Sequence, residues 1–315
     1  MTMEIVVGRE ALTPAAEGAV VTVGTFDGVH LGHRALIAET ISIARATGRR
    51  AVGVTWDRHP AMTLRPDKAP PMLSTQERKL ELLGETGLDR LIVLVFDKEL
   101  SQVPAERFVD EILVRGIGMR HIVSGTRWRF GHKAKGNVDL LTELAPKGGF
   151  EVTAMELASL DGEPVSSSRT RGVVAAGDMT LAARLLGRPF DLDGVVIHGD
   201  DRGASLGFPT ANLALDPTLI APLRGVYAGR ARVSSNWYGA ATNVGVNPTF
   251  GGDPDTTPMR VETFLLDFAG DIYGEQLRVT LEDRLRDELA FESTDALIAQ
   301  IEADVGATRA FINRC

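Results

Sequence analysis

From residue 19 to residue 156 the chain alternates short, uniformly apolar runs with helix-length segments, and that rhythm constrains the fold more than any other feature. "AVVTVGTF" (19–26), "RAVGVTW" (50–56), "RLIVLVF" (90–96), "RHIVSG" (120–125) and "FEVTAME" (150–156) read as strands. Between them lie helical patterns, at about 33–47, at 74–87 and near 104–115, and helices fill 168–187 as well. The 74–87 segment opens with Ser74 and Glu77 in capping-box spacing and closes with Gly87. A strand that is apolar at every position must be covered on both faces, and helices between successive strands supply that cover. The expected first half is therefore α/β with a parallel sheet.

After "LLGRPFDLDG" the texture changes. Short alternating segments follow ("GVVIHG", "GVYAGRARV", "WYGAATNVG", "VETFLLDF", "LRVTLED"), punctuated by Gly, Pro, Asn and Asp. They read as a small antiparallel barrel or sandwich. "STDALIAQIEADVGATRAFI" closes the chain with helical periodicity. The boundary falls near residue 187, giving domains 1–187 and 188–315. A length of 315 residues is enough for two separate cores.

A net charge of −8 argues against a broad nucleic-acid-binding face, though a local cationic pocket for small anions remains open. The single cysteine, Cys315, excludes a disulfide framework and a cysteine-built zinc site. With no signal-peptide core and no long apolar span, the expected setting is cytoplasmic, with no membrane partner. An oligomer is compatible with the sequence and has no support in it.

The first chemical signal is "GTFDGVHLGH" (24–33), at a strand-to-helix turn. Gly24, Gly28 and Gly32 let backbone approach a ligand, and Phe26 and Asp27 sit inside the same turn. The start of the following helix offers free N–H groups to phosphate. His30 and His33 can donate hydrogen bonds to phosphoryl oxygens as charge develops. Neither a Walker pattern nor GxGxxG occurs there, and two solvated loop histidines are the plain alternative. The stretch resembles the HxGH motif of nucleotidyltransferases, and over its full length the adenylyltransferase half of the bacterial bifunctional riboflavin kinase/FAD synthetase family. That family's second motif corresponds to Val165, Ser166, Ser167, Ser168, Arg169, Thr170 and Arg171. Its hydroxyls and two arginines at a helix start suit a triphosphate.

In the second half, "GDDRGASLGFPTANL" (199–213) carries Gly203, Gly207 and Pro209, then Thr210 and Asn212 on one strand face. A hydroxyl and an amide oxygen there are oxygen ligands suited to Mg²⁺ on ATP phosphates. In "VETFLLDF" the period-two rule groups Glu262 with Phe264, Leu266 and Phe268. A carboxylate among apolar neighbours is costly unless used, and Glu262 is a candidate base for a hydroxyl attacking a γ-phosphate. A solvated Glu262 on an outer face is the alternative. This half resembles the riboflavin kinase family, whose PTAN motif binds Mg-ATP and whose barrel-strand glutamate is the base. The likeness continues through "GVYAG", "NVGVNPTFGG", "DIYGEQL" and "LRDELAFES", where Arg286 and Phe291 become flavin-contacting candidates.

The resemblance implies a Rossmann-like nucleotidyltransferase domain, then a Greek-key riboflavin kinase-like barrel with a C-terminal helix. It implies riboflavin, FMN, FAD and ATP as substrates and products, with Mg²⁺. Departures sit in the first half only. Arg58 replaces a proline in Thr55-Trp56-Asp57-Arg58-His59-Pro60, and Arg127 replaces Asp or Asn in Gly125-Thr126-Arg127-Trp128-Arg129-Phe130-Gly131. Trp56, His59, Pro60, Arg127 and Trp128 are the flavin candidates there, Trp56 by stacking. Two alternatives stay open: a kinase whose other half is degenerate or takes another nucleotide or flavin, and a flavin carrier without either activity.

Overall fold

The computed structural model describes residues 3–199, 206–246 and 259–314. The chain divides into two compact units, Met1–Pro70 with Gln76–Ser166, and Pro71–Thr75 with Ser167–Cys315.

Six strands form the sheet of the first unit: β1 (Glu4–Val7), β2 (Ala19–Val23), β3 (Arg50–Trp56), β4 (Arg90–Leu94), β5 (Met119–Gly125) and β6 (Glu151–Met155). Every pairing is parallel and the order is β1-β4-β3-β2-β5-β6. Period-two alternation divides the apolar runs between two cores. Val21, Val23, Val52, Val54, Ile92 and Leu94 pack with Phe108, Ile112, Leu113 and Leu141. Val20, Ala51, Leu91 and Val93 pack with Ile37, Ala44, Leu82 and Leu83. The sheet is thus covered on both faces, as uniformly apolar strands require. Those covering side chains come from α1 (Leu31–Thr47), α3 (Gln76–Gly84), α5 (Ala105–Arg107, continued over Phe108–Ile117) and α6 (Val138–Gly148). Short α2 (Pro60–Leu64) and α4 (Lys98–Ser101) fill connections, and α5 begins at Ala105–Arg107 and runs on as a π-helix over Phe108–Ile117.

Two local expectations change. Helix α3 starts at Gln76, so Ser74 does not cap it, and the buried Ser74 Oγ finds no hydrogen-bond partner among the described residues. The first strand ends at Val23, because left-handed backbone at Phe26 turns the chain out of the sheet. Strand β1 has no counterpart in the sequence reading; it is an exposed edge tied by Glu4 to Arg50 and Arg90, both at 2.9 Å.

Winding runs one way through β2, β3 and β4 and the other way through β5 and β6. The reversal lies between β2 and β5, and in sheets of this kind ligands bind beside such a reversal, at the carboxyl ends of the strands. A two-strand hairpin, β7 (Ser159–Leu160) and β8 (Glu163–Pro164), follows the sheet.

The second unit opens with α7 (Ser167–Ala175) and α8 (Met179–Leu186), and α8 packs on β9 (Phe190–Ile197) and β15 (Asp283–Arg286). Between those strands come β10 (Thr210–Leu215), β11 (Gly225–Val233), β12 (Asn236–Val246), β13 (Met259–Leu265) and β14 (Gln276–Leu281). Antiparallel pairing runs β9-β10-β13-β12-β11-β14 and back to β9. Six strands therefore close a barrel, which decides between barrel and sandwich. Closure is tight at Gly229, where a Cβ would lie 1.9 Å from the Thr280 carbonyl oxygen, so any side chain there would force β11 and β14 apart. Helix α9 (Thr294–Ile312), capped by the Ser293 side chain, packs on β11 and β12.

Asp89 joins three elements of the first unit. It accepts from Arg45 at 2.7 and 2.8 Å and from the Ala51 N–H at 2.7 Å. The Arg45 guanidinium holds its carboxyl below the usual carboxylate range. Asp89→Ala is expected to cost the first unit about 2 kcal/mol in urea unfolding at pH 7. Because the folded pKa is lowered, that stabilisation is present above the ordinary carboxylate pKa and disappears as pH falls through the lowered value.

Candidate active sites

The glycine-rich turn leaves β2 at the winding reversal and enters α1. Phe26 (φ 51°), Gly28 (φ 72°) and Val29 (φ 42°) all take left-handed backbone. For β-branched Val29 that conformation is strained, and it persists because Phe26 and Val29 are fully buried and hold the turn in place. His30, 4% exposed, caps α1, its Nδ1 accepting the His33 N–H at 3.3 Å. An accepting Nδ1 puts the proton of the neutral ring on Nε2, which becomes a donor. The His30 and His33 rings stack at 3.6 Å and 14°, and Phe26 meets His33 edge-on at 5.3 Å. A Cβ on Gly32 would crowd the His30 ring at 3.1 Å and the Val165 carbonyl at 3.2 Å. Glycine at 32 therefore lets the backbone just before the serine run lie against the imidazole turn. A helix N-terminus and a stacked imidazole pair together suit a phosphate oxygen that gains charge.

Two further loops leave neighbouring strands on the same carboxyl edge. After β3, Trp56 is 8% exposed, its ring against Phe96 (5.4 Å) and Phe108 (6.2 Å). It forms a core wall, so a stacking role for Trp56 would require that packing to open. Arg58 is exposed and donates to Asp57 at 2.9 Å; His59 caps α2 by accepting the Ala61 N–H at 3.1 Å, with Pro60 as the first helical residue. After β5, Arg127 is exposed, while Trp128 is half-buried and stacks on Phe130 at 4.4 Å. Arg129, Lys133 and Lys135 of the cationic cluster are exposed too.

The sequence reading missed Lys79. It lies 3% exposed on α3 and donates to the Trp56 carbonyl at 2.9 Å. Burial pushes its pKa down to about 8 against the opposing pull of Asp27 and Asp57. Its sequence context, a lysine in "RKLELL", gives the helix an ordinary amphipathic look.

Ser166 ends the first unit, and Ser167, Ser168, Arg169 and Arg171 occupy the start of α7 in the second. Arg171 Nε donates to the Pro71 carbonyl at 2.6 Å. Gly203 lies outside the described residues, as does part of "NVGVNPTFGG"; Gly207 is exposed with φ 88° and Pro209 follows it before β10.

In the barrel the register does the assembly. Asn212 on β10 pairs opposite Glu262 on β13, and Glu262 pairs opposite Asn243 on β12. The three side chains line one cavity of about 350 Å³ with Thr210, Arg260 and Phe264. Glu262 keeps 27% side-chain exposure and meets Arg260 at 2.5 Å, and Arg260 also donates to the Asn212 amide oxygen at 3.2 and 3.3 Å. The acid is therefore in a walled cavity beside its threonine and asparagine companions. Its expected grouping with Leu266 and Phe268 does not hold, since β13 ends at Leu265 and, of the three apolar residues, Phe264 alone shares its face. Arg286 grips Asp304 of α9 at 2.7–3.1 Å, its guanidinium carbon is 6.0 Å from the Phe291 ring centre, and all three line the same cavity. Asn243 and Arg260 had no signal of their own, because cross-strand pairing is invisible in one sequence. Gly199, two residues past the end of β9, is a similar case: a Cβ there would sit 2.2 Å from the Asn212 amide nitrogen.

These features define a transferase of two units, a nucleotidyltransferase-like parallel sheet and a flavokinase-like barrel. The FAD synthetase family profile matches residues 12–169 and the riboflavin kinase profile residues 186–312. A bifunctional riboflavin kinase/FMN adenylyltransferase of Pseudomonas fluorescens is 39% identical over 98% of this chain and 97% of its own. The Escherichia coli K12 protein of that name is 34% identical over 98% of both. A crystal structure described as a macrolide-efflux protein from Streptococcus pneumoniae overlays with a TM-score of 0.86 at 29% identity, covering 98% of this chain and 99% of its own. Among the described residues no helix is long and apolar enough to cross a membrane. The chain belongs to the bifunctional riboflavin kinase/FMN adenylyltransferase family.

Lys79 also gives the first unit a pH signature. Its folded pKa of about 8 lies below the ordinary 10.5, so above pH 8 the folded unit sheds a proton that the unfolded chain still holds. Stability should rise with pH from about 8 to 10.5, by about 3 kcal/mol for the full shift. Urea midpoints of the first unit across that window should climb more steeply than those of Lys79→Met.

Proposed function

We propose that the barrel phosphorylates riboflavin to FMN and that the parallel-sheet unit adenylylates FMN to FAD with release of pyrophosphate. The functional boundary falls near residue 187, where the riboflavin kinase match begins at 186. The observation that carries the kinase assignment is the transverse row of Asn212, Glu262 and Asn243 in one cavity. Glu262 takes the proton of riboflavin's 5′-hydroxyl as that oxygen attacks the γ-phosphorus, and ADP leaves. Arg260 bridges Asn212 and Glu262, so an arriving polyphosphate competes for its guanidinium and uncovers the carboxylate. Thr210 and Asn212 present neutral oxygens beside a carboxylate, a donor set that fits Mg²⁺ on nucleotide phosphates. Such an ion, when bound, neutralises phosphate charge. Arg286 and Phe291 border the flavin end of the cavity.

For adenylylation, the FMN phosphate attacks the α-phosphorus of ATP. Nε2 of His30, fixed as a donor by the cap, and the His33 ring stabilise charge on the α-phosphoryl oxygens. Gly24, Phe26, Asp27, Gly28 and Gly32 shape the turn that receives the nucleotide, and Ser166, Ser167, Ser168, Arg169 and Arg171 serve the pyrophosphate. Trp56, His59, Pro60, Arg127 and Trp128 stand on the flavin side. A degenerate first half is not favoured, because the FAD synthetase match spans both Arg58 and Arg127. The setting proposed is cytoplasmic.

Separation of flavins after incubation with riboflavin, ATP and Mg²⁺ tests the scheme: FMN followed by FAD is expected, and FMN alone refutes the second step. Glu262→Gln should lower FMN formation by at least 100-fold while adenylylation of supplied FMN stays within twofold. His30→Ala should do the reverse, and equal loss of both activities in either variant contradicts separate sites. Gly199→Ala should reduce phosphorylation at least tenfold by displacing the Asn212 amide, with adenylylation intact.

A further inference from the structure

A lysine buried as deeply as Lys79 needs a reason, because an ammonium out of water is costly unless its donors are used. Its Nζ donates to the carbonyl of Trp56, the last residue of β3. Helix α3 packs against the imidazole turn at Asp27–Val29, and two carboxylates attract the charge, Asp27 of that turn, 1% exposed, and Asp57 of the loop after β3. Asp57 is itself held in place: one oxygen accepts the Phe96 N–H at 2.8 Å and the other faces Arg58 at 2.9 Å. On α3 the neighbouring Arg78 is engaged with Glu81 at 3.1 Å. The ammonium therefore stands beneath two loops that leave adjacent strands, which the Thr55 hydroxyl also links by donating to the Thr25 carbonyl at 3.2 Å.

We propose that Lys79 is a positioning residue for adenylylation, tying the Asp27 end of the imidazole turn to the Trp56–Asp57 loop so that His30 and His33 face the loop that receives the flavin. This rests on the reading of the turn as the adenylylation site. Lys79 touches no substrate; it acts by fixing the relative position of two loops that do. A purely structural pair would behave differently, since an apolar side chain of similar length often replaces a buried ion pair without loss of stability. Positioning is lost with the charge, and displacements of an ångström are enough to slow a phosphoryl transfer.

The test is steady-state adenylylation of supplied FMN, with riboflavin phosphorylation by the same sample as internal control. Lys79→Met is expected to lower kcat/KM for FMN at least 50-fold and leave phosphorylation within twofold. The unaltered enzyme should lose adenylylation as pH rises through about 8, where Lys79 gives up its proton. In Lys79→Arg the guanidinium keeps its proton, so that decline should move up by a pH unit or more whatever its absolute rate. Adenylylation by Lys79→Met within threefold of the unaltered chain, or an unmoved alkaline decline in Lys79→Arg, overturns the proposal. Failure of the unaltered chain to make FAD would instead remove the functional reading beneath it. Should Lys79→Met fail to fold, the pH profile of Lys79→Arg decides.

Discussion

Across β10, β13 and β12 the hydrogen-bonded ladder sets Asn212, Glu262 and Asn243 side by side, and a slip of one residue in either pairing would turn a member of the row to the opposite face of the wall. The barrel chemistry thus depends on backbone register before it depends on any side chain. Closure protects that register, since every strand of the ring has two partners and none can slide alone. The close pass at Gly229 belongs to the same constraint, because it is where the ring would gape if a side chain intruded. In the parallel sheet the corresponding constraint is strand order. Three loops leave the carboxyl ends of β3, β2 and β5, which are neighbours, so residues around positions 30, 57 and 127 are gathered at one edge although the chain separates them widely.

Much of this was legible in the amino-acid order. Uniform apolarity forces burial on both faces, and five runs with helices between them admit few arrangements other than a parallel sheet. Glycines and histidines in one short stretch marked the turn, and a Thr–Asn pair two residues apart marked a strand face. What stayed hidden has a common cause, partnership across the fold. Strand β1 is four residues long and largely exposed, so its Ile5–Val7 run is too short to mark a strand by itself and gains its place through pairing with β4. Asn243 and Arg260 acquire meaning from the residues opposite or beside them. Lys79 looked like helix surface, because periodicity reports which face is apolar and says nothing about a charge drawn inward by two carboxylates. Trp56, a stacking candidate from its place at a strand end, is packed by Phe96 and Phe108 from other segments.

Charge is distributed in keeping with these roles. The chain carries a net −8, yet many of its acids are held by arginines in two-point contacts. Asp193 with Arg278 and Glu282 with Arg230 brace the barrel wall, while Asp304 with Arg286 carries α9 onto the rim of the cavity. Helix α9 is thereby made a wall of the barrel cavity, because Leu297, Ile301 and Val305, one turn apart on it, line the same cavity as Glu262. The exposed group of Arg127, Arg129, Lys133 and Lys135 stands apart from this pattern.

The left-handed backbone at Phe26, Gly28 and Val29 has a consequence for how such an enzyme ages and varies. A bent segment kept under tension by two packed side chains relaxes as soon as its anchorage loosens, well before the sheet behind it comes apart. Small changes of volume in the surrounding hydrocarbon, even at positions that never meet a nucleotide, would then blunt catalysis in a molecule that still looks native. The shape of the turn rests on the fit around one phenyl ring and one isopropyl group.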